Sequence, residues 1–208
     1  MISCEMVGRL GNQMFITATA HSLALDNKDQ VVHPHSIGGT SPTPDETEIH
    51  RKTIFRNLKY TNDLSFLKFV YSENPNMKFE KIDYRENLFI KGYFQSENYF
   101  KHNRKHIIEL FSPQKEIEEF INKKYSSFIN NNECVSVHIR RGDYLRLSDF
   151  HNILGQKYYE KAMKEYDGAK FVFFSDDIGW CQNTFGNKNS IFIEKQPDVM
   201  DLFLMSKI

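Results

Sequence analysis

The run Ser136-Val137-His138-Ile139-Arg140-Arg141-Gly142-Asp143-Tyr144 holds the densest chemistry in the sequence. Glu133–Ile139 reads as a strand with Val135, Val137 and Ile139 on one side, so a period of two puts Ser136, His138 and Arg140 on the other. Gly142 ends that strand. His138 and Arg140 then stand at its carboxyl end, where open α/β sheets bind ligands. Adjacent arginines repel unless an anion or carboxylates neutralise them, and a diphosphate suits them because guanidinium groups hold phosphate oxygens in a fork. Charge-assisted bonds of this kind are worth about 1.5–3 kcal/mol each. Asp143 and His138 flank the pair as candidates to exchange a proton with a bound hydroxyl. The plainer alternative is an Arg-Arg-Gly-Asp surface turn whose charges pair with one another. A phosphate site requires guanidinium groups that face a cavity, not ones locked onto neighbouring acids and turned away.

A second strand end, Phe173-Phe174-Ser175-Asp176-Asp177, again places polar groups after an apolar run. Ser175, Asp176 and Asp177 are candidates to line the same crevice, with Asp177 equally suited to cap a helix starting near Ile178. The third segment, Gly8-Arg9-Leu10-Gly11-Asn12-Gln13, resembles a phosphate-cradling turn but lacks a full GxGxxG and any Walker lysine–hydroxyl pair. A packing turn with Asn12 as helix cap accounts for it as well. His33 and His35 flank Pro34, yet no carboxylate or cysteine spacing completes a metal set. No Gly-x-Ser-x-Gly elbow or cysteine–histidine signature is present.

The elements that must position these groups alternate. Met1–Val7 reads as a strand, the stretch to about Asp26 as a helix, and Val31-Val32 as a second strand. Pro34–Glu48 reads as a loop, and Arg51–Glu86 has no clean period. Asn87–Phe94 reads as a strand, with Ser96 able to cap a helix after it. Beyond Pro113, Ile117, Phe120, Ile121, Phe128 and Ile129 share one helical face. The remainder reads as strand Glu133–Ile139, helix Gln156–Tyr166 with Tyr158, Tyr159, Ala162, Met163 and Tyr166 on one face, strands Lys170–Phe174 and Ile191–Ile193, and a helix beginning Val199–Met205. This alternation predicts parallel sheet flanked by helices.

Composition bounds the rest. The chain has 208 residues, 40% hydrophobic and 26% charged, enough for one compact domain or two small ones. Its 27 basic residues balance 27 acidic ones, which removes any global drive toward nucleic acid or an anionic membrane. No apolar stretch reaches the roughly 18 residues of a membrane span, and Met1–Leu10 does not read as a signal peptide. Three scattered cysteines, Cys4, Cys134 and Cys181, make no disulfide framework. The expected location is cytoplasmic, with or without peripheral membrane contact.

Together, Gly8–Phe15, His138–Tyr144, and Phe174-Ser175-Asp176-Asp177 with Trp180-Cys181 resemble the bacterial α-1,2-fucosyltransferases of glycosyltransferase family 11, over essentially the whole chain. The resemblance implies inverting, metal-independent transfer of L-fucose from GDP-fucose to a galactose 2-hydroxyl. The partners are then GDP-fucose and a galactose-containing glycan acceptor, with no cofactor and no metal. It also implies a GT-B-like pair of Rossmann-like α/β domains: 1–130 on the acceptor side and 131–208 as the start of the donor-binding domain. Carried over, Arg140 contacts the donor diphosphate, Arg141 supports that turn, His138 sits beside the donor, and Arg9 and Asn12 are second contributors.

Cleaving fucose from GDP puts positive charge on the sugar and negative charge on the diphosphate, which guanidinium groups in a poorly hydrated crevice stabilise. A base must take the acceptor proton, and Asp143 is the first candidate, with His138, Asp149 and His151 behind it. Family members continue into a segment resembling Ser-Thr-Phe-Ser-Trp-Trp, and nothing here matches it. The donor domain is therefore expected to be incomplete, with a partly exposed core and a sticky last helix. Two rivals stay open: a non-catalytic sugar-nucleotide or glycan-binding remnant, and an interaction protein using the apolar helix near Val199–Met205.

Overall fold

Residues 1–36, 42–129, 133–146, 149 and 152–208 are described by the computed structural model. They form two compact units, Met1–Gln114 and Lys115–Ile208.

In the first unit, β1 (Ile2–Cys4) is buried throughout and leads through the Gly8 turn into α1 (Leu10–Asp26). After these come β2 (His33–Pro34), α2 (Pro44–Lys52), β3 (Tyr60–Thr61), β4 (Phe69–Ser72) and β5 (Leu88–Lys91). Two 3-10 turns then lead into α3 (Arg104–Leu110). The main sheet runs β1-β5-β4, all parallel, with Cys4 opposite Ile90, and β2 pairs with β3 separately. Val31 makes only an isolated bridge to Ile2, so the expected Val31-Val32 strand is displaced onto His33–Pro34.

The loop expected over Pro34–Glu48 contains the start of a helix. Thr43 accepts the Glu46 N–H at 3.2 Å, Glu46 accepts the Thr43 N–H at 2.7 Å, and Pro44 fills the first turn. That reciprocal cap nucleates α2 despite its low apolar content. Part of the expected loop, 37–41, lies outside the described residues.

The second unit comprises α4 (Lys115–Lys124), β6 (Cys134–Ile139), α5 (Gly142–Arg146), α6 (Gln156–Lys164), β7 (Lys170–Ser175), α7 (Ile178–Phe185), β8 (Ser190–Phe192) and α8 (Asp198–Met205). Its sheet runs β6-β7-β8, again parallel, with His138 opposite Phe174 and Ile139 opposite Ser175. β7 is central, and Val172, Phe173 and Phe174 are fully buried, as an uninterrupted apolar strand covered on both faces must be. Phe173 stacks on Phe185 and Phe192 at 5.4 and 5.1 Å, and Ile139, Tyr159 and Cys181 join the same core.

Three expectations need correcting here. The units divide at 114/115, not at 130/131, because α4 belongs with the second unit: Lys207 reaches Glu118 at 2.7 Å and the Tyr125 hydroxyl reaches Gln196 at 3.1 Å. Phe120, Tyr158 and Tyr166 are exposed; α4 and α6 end at Lys124 and Lys164, so the long single faces drawn through Ile129 and Tyr166 do not exist. The last helix is not a sticky surface, since Val199, Phe203 and Leu204 of α8 are buried. The rival that used it as a docking face falls with it.

All three cysteines are buried free thiols, and burial pushes the Cys4 thiol up to about 12. Among the described residues no helix is long and apolar enough to cross a membrane.

The first unit also buries histidines. His33 is fully buried with neither ring nitrogen hydrogen-bonded, and its ring stacks on His21 at 5.5 Å, which in turn stacks on His106 at 6.1 Å. Burial, then repulsion from His21, pushes the His33 pKa down to about 3; burial, then His106, takes His21 to about 4. Both rings are neutral in the fold, while the unfolded chain protonates them near 6.5. Above pH 6.5 neither state binds the proton and nothing is lost. Below it the unfolded state gains protons that the fold refuses, so stability falls with pH down to the folded values. The unfolding free energy of the first unit, from denaturant dependence followed by hydrogen exchange, is expected to drop between pH 6.5 and 4.5 by on the order of 2–3 kcal/mol per histidine. His33→Leu should flatten part of that slope; an unchanged slope would remove the stack as its cause.

Candidate active site

The carboxyl ends of β6 and β7 are tied together by Asp176. Its Oδ1 accepts the Arg141 N–H at 2.8 Å and its Oδ2 accepts the Gly142 N–H at 2.9 Å. A Cβ on Gly142 would lie 2.8 Å from Asp176 Oδ2, so glycine is what lets the carboxylate reach the backbone. Asp177 caps α7, its Oδ1 accepting the Trp180 N–H at 3.2 Å, and the Ser175 hydroxyl accepts the Asp177 N–H at 2.9 Å. Asp176 thus ties the two strand ends together, while the Ser175 and Asp177 bonds shape the β7–α7 turn.

That brace presents the arginine pair. Arg140 forms a fork with Asp143: Nε donates to Oδ1 at 2.9 Å and Nη2 donates to Oδ2. Those hydrogen bonds, more than any other influence, raise the Arg140 pKa. Its guanidinium also lies 5.0 Å from the Tyr144 ring centroid. Arg141 is more enclosed. Its Nε donates to Asp177 Oδ2 at 3.1 Å, and its guanidinium sits 3.9 Å from the centroid of the Trp180 ring, a cation–π contact. Side-chain exposure is 35% for Arg140 and 16% for Arg141, so Arg140 is the one open to an incoming ligand.

Each guanidinium therefore has an acid partner, the arrangement of the plainer surface-turn reading. The fork occupies only one edge of Arg140, and a guanidinium carries five N–H donors. The other edge is what an anion can use. In this arrangement both carboxylate oxygens of Asp143 accept from the Arg140 guanidinium. His138 lies on the exposed face of β6. Although part of the ring reaches solvent, desolvation lowers its pKa, with Arg140 acting in the same direction and Asp176 against them. Asp149 lies exposed in a turn, and His151 lies outside the described residues.

The Gly8 turn belongs to the first unit. Gly8 has φ +76°, and a Cβ there would lie 2.3 Å from Asn12 Nδ2. Both facts demand glycine. Asn12 is not the helix cap, since Arg9 occupies that position; its Oδ1 instead accepts the Gln95 side-chain N–H at 2.7 Å. Gln13, buried to 1% exposure, donates to the Gly8 carbonyl at 2.9 Å and locks the turn. Arg9 pairs with Glu46 at 3.3 Å on the surface. Among the described residues no group of three or more His, Cys, Asp or Glu side chains forms a metal site.

Sequence reasoning missed Gln13, Gln95 and the part Trp180 plays. Gln13 follows Gly11 and Asn12 in a polar turn, so the sequence does not single it out as buried. Gln95 carried no signal either, because its partner is 83 positions away.

Comparison with known proteins fits this geometry. The model of Glycosyl transferase family 11 matches residues 1–207. The O-antigen biosynthesis glycosyltransferase WbnK of Escherichia coli is 30% identical over 254 aligned positions, covering 100% of this chain and 84% of its own length. An Alpha-1,2-colitosyltransferase of Escherichia coli is 32% identical over 55% of this chain and 43% of its own. Galactoside alpha-(1,2)-fucosyltransferase 2 of Pongo pygmaeus is 25% identical over 88% of this chain, which spans 55% of that relative. Of these relatives, this chain thus spans most of WbnK but only about half of the other two. In fold, it resembles the fucosyltransferase NodZ from Bradyrhizobium, with a TM-score of 0.53 at 13% identity over 99% of this chain and 81% of that one. Parallel α/β units, a braced arginine turn and a full-length family match lead to one conclusion: the chain belongs to glycosyl transferase family 11.

Proposed function

We propose that the chain transfers L-fucose from GDP-fucose to the 2-hydroxyl of a galactoside, with inversion and without a metal, on a GT-B-like frame of two Rossmann-like halves whose unit 115–208 holds the donor. The observation that carries this reading is the pair of guanidinium groups at the carboxyl end of β6, fixed there by the Asp176 brace. The names of relatives fit it: two transfer a deoxy-sugar in α-1,2 linkage, and a NodZ structure was obtained with GDP-fucose soaked in.

In this reading the bond between the fucosyl anomeric carbon and the β-phosphate oxygen breaks, and GDP leaves with the electron pair. Arg140 takes phosphate oxygens on its open edge while Asp143 keeps the other edge in place. Arg141, held between Asp177 and Trp180, adds positive potential without moving. The acceptor oxygen attacks from the opposite face and passes its proton to His138, which is neutral above its lowered pKa and so available as a base at neutral pH.

The test is GDP release and product linkage with GDP-fucose and lactose. The expected product is the 2-O-fucosyl galactoside, with a rate that rises with pH as His138 deprotonates and levels off at a lower pH than an ordinary imidazole would give. His138→Ala should lower the rate by about 10²–10⁴-fold and abolish that pH limb, whereas Asp143→Asn should cost much less. The reverse ranking would return the base role to Asp143. GDP binding without turnover, by calorimetry, would favour the non-catalytic remnant.

A further inference from the structure

We propose that the first unit carries a separate binding site for a neutral oligosaccharide, in the cavity between the second half of α1 and the extended segment 79–84. The cavity measures about 830 Å³, within the range of about 300–1,000 Å³ usual for small-molecule sites. It is not part of the Gly8 turn. Its lining on α1 begins at Thr19, about 14 Å along the helix from Leu10 at a rise of 1.5 Å per residue.

The walls combine aromatic faces with hydrogen-bonding side chains. Phe79 is 45% exposed, yet its ring is held edge-on against Tyr99 at 4.8 Å, and Tyr99 against Phe94 at 5.3 Å. The segment is pinned behind by buried Ile82, by the Glu80 N–H donating to the Tyr99 hydroxyl at 3.3 Å, and by the Tyr84 hydroxyl donating to Asp29 at 3.1 Å. Opposite, Asp26 is fixed by His102 at 2.9 Å and by Asn103 at 2.8 Å. Asn98 stands exposed on the rim.

These features select a chemistry. A fixed aromatic ring with solvent on its free side gains by covering itself with an apolar surface that is rigid and polar at its edges. The C–H face of a pyranose is such a surface, and its hydroxyls reach carboxylate and amide side chains around the ring. The charged lining is Asp26 and Asp83 against Lys81, with His102 committed to Asp26, so the cavity offers no cationic cluster for phosphate. A nucleotide or phosphorylated sugar is disfavoured and a neutral saccharide is favoured. Preformed walls keep the ordering cost of binding low.

The experiment uses the full ¹⁵N-labelled chain with lactose, maltotriose and chitotriose as probes, in the absence of GDP-fucose. Saturation transfer to saccharide C–H protons is expected for at least one of them, together with shifts of the Asn98 and Asn27 side-chain amides. Phe79→Ala and Asn98→Ala, both at exposed positions, should each weaken that binding at least fivefold, while Arg140→Ala leaves it unchanged. Absence of transfer with all three saccharides would overturn the proposal. So would binding that survives both cavity variants, or amide shifts at these positions on adding GDP instead. Because the readout is binding without donor, the result stands apart from whether the chain turns over GDP-fucose.

Discussion

Arg140→Ala is expected to lower GDP release from GDP-fucose with lactose by about 10²–10³-fold, the loss usual when one preorganised donor to a developing negative charge is removed. The size follows from position. Arg140 is the less enclosed of the two guanidinium groups, and its fork with Asp143 fixes the direction of its remaining N–H bonds. Such a group stabilises the leaving diphosphate more than the bound donor, so the loss should fall mainly on kcat. Arg140→Lys should recover little, because an ammonium cannot hold Asp143 and a phosphate in one plane. Arg141→Ala should cost less in chemistry and more in order, since its contacts to Asp177 and Trp180 face the protein. Steady-state and single-turnover assays separate these effects. Full activity in Arg140→Ala would take the arginine out of the mechanism.

Asp176→Ala is expected to loosen the whole arginine turn. The substitution removes an acceptor from the N–H groups of both Arg141 and Gly142. Bonds to a charged acceptor are worth about 1.5–3 kcal/mol each. Asp176 is exposed, so solvent screening reduces that, and about 1–3 kcal/mol in total is the expected loss. For a unit of this size that corresponds to a melting temperature lower by roughly 5–15 °C. GDP affinity should fall at least tenfold. Asp176→Asn keeps one carbonyl oxygen and should lie between. Gly142→Ala should act on the same contact from the other side, since its Cβ would press on Asp176 Oδ2. Scanning fluorimetry with and without GDP checks both; wild-type melting in Asp176→Ala would mean that the brace does not hold the turn.

The place of the candidate residues in the fold was legible because it rests on local periodicity. Alternation through Val135, Val137 and Ile139 put His138 and Arg140 where the structure has them, and the apolar run at 171–174 marked a strand buried on both faces. What the side chains do there was less legible. Whether Asp176 meets a ligand or a backbone N–H depends on how β6 and β7 register, and Ile139 opposite Ser175 is a long-range fact. Likewise Asp143 reads as a base by proximity to Arg140, whereas the same three-residue separation also lets the two form an ion pair. α2 was missed for a different reason. Its signal is the Thr43–Glu46 cap, and a reading guided by hydrophobic spacing passes over a helix with one buried residue, His50.

The buried thiols turn the two units into separately timed objects. An alkylating reagent needs a thiolate it can reach, and Cys4 on β1 offers neither while the first unit is closed. Cys134 on β6 and Cys181 on α7 are sealed in the second. Modification of Cys4 therefore clocks the opening of one unit and modification of the other pair clocks its neighbour. A single mass-spectrometric time course can then tell whether the halves breathe together or apart, with no label added to the chain.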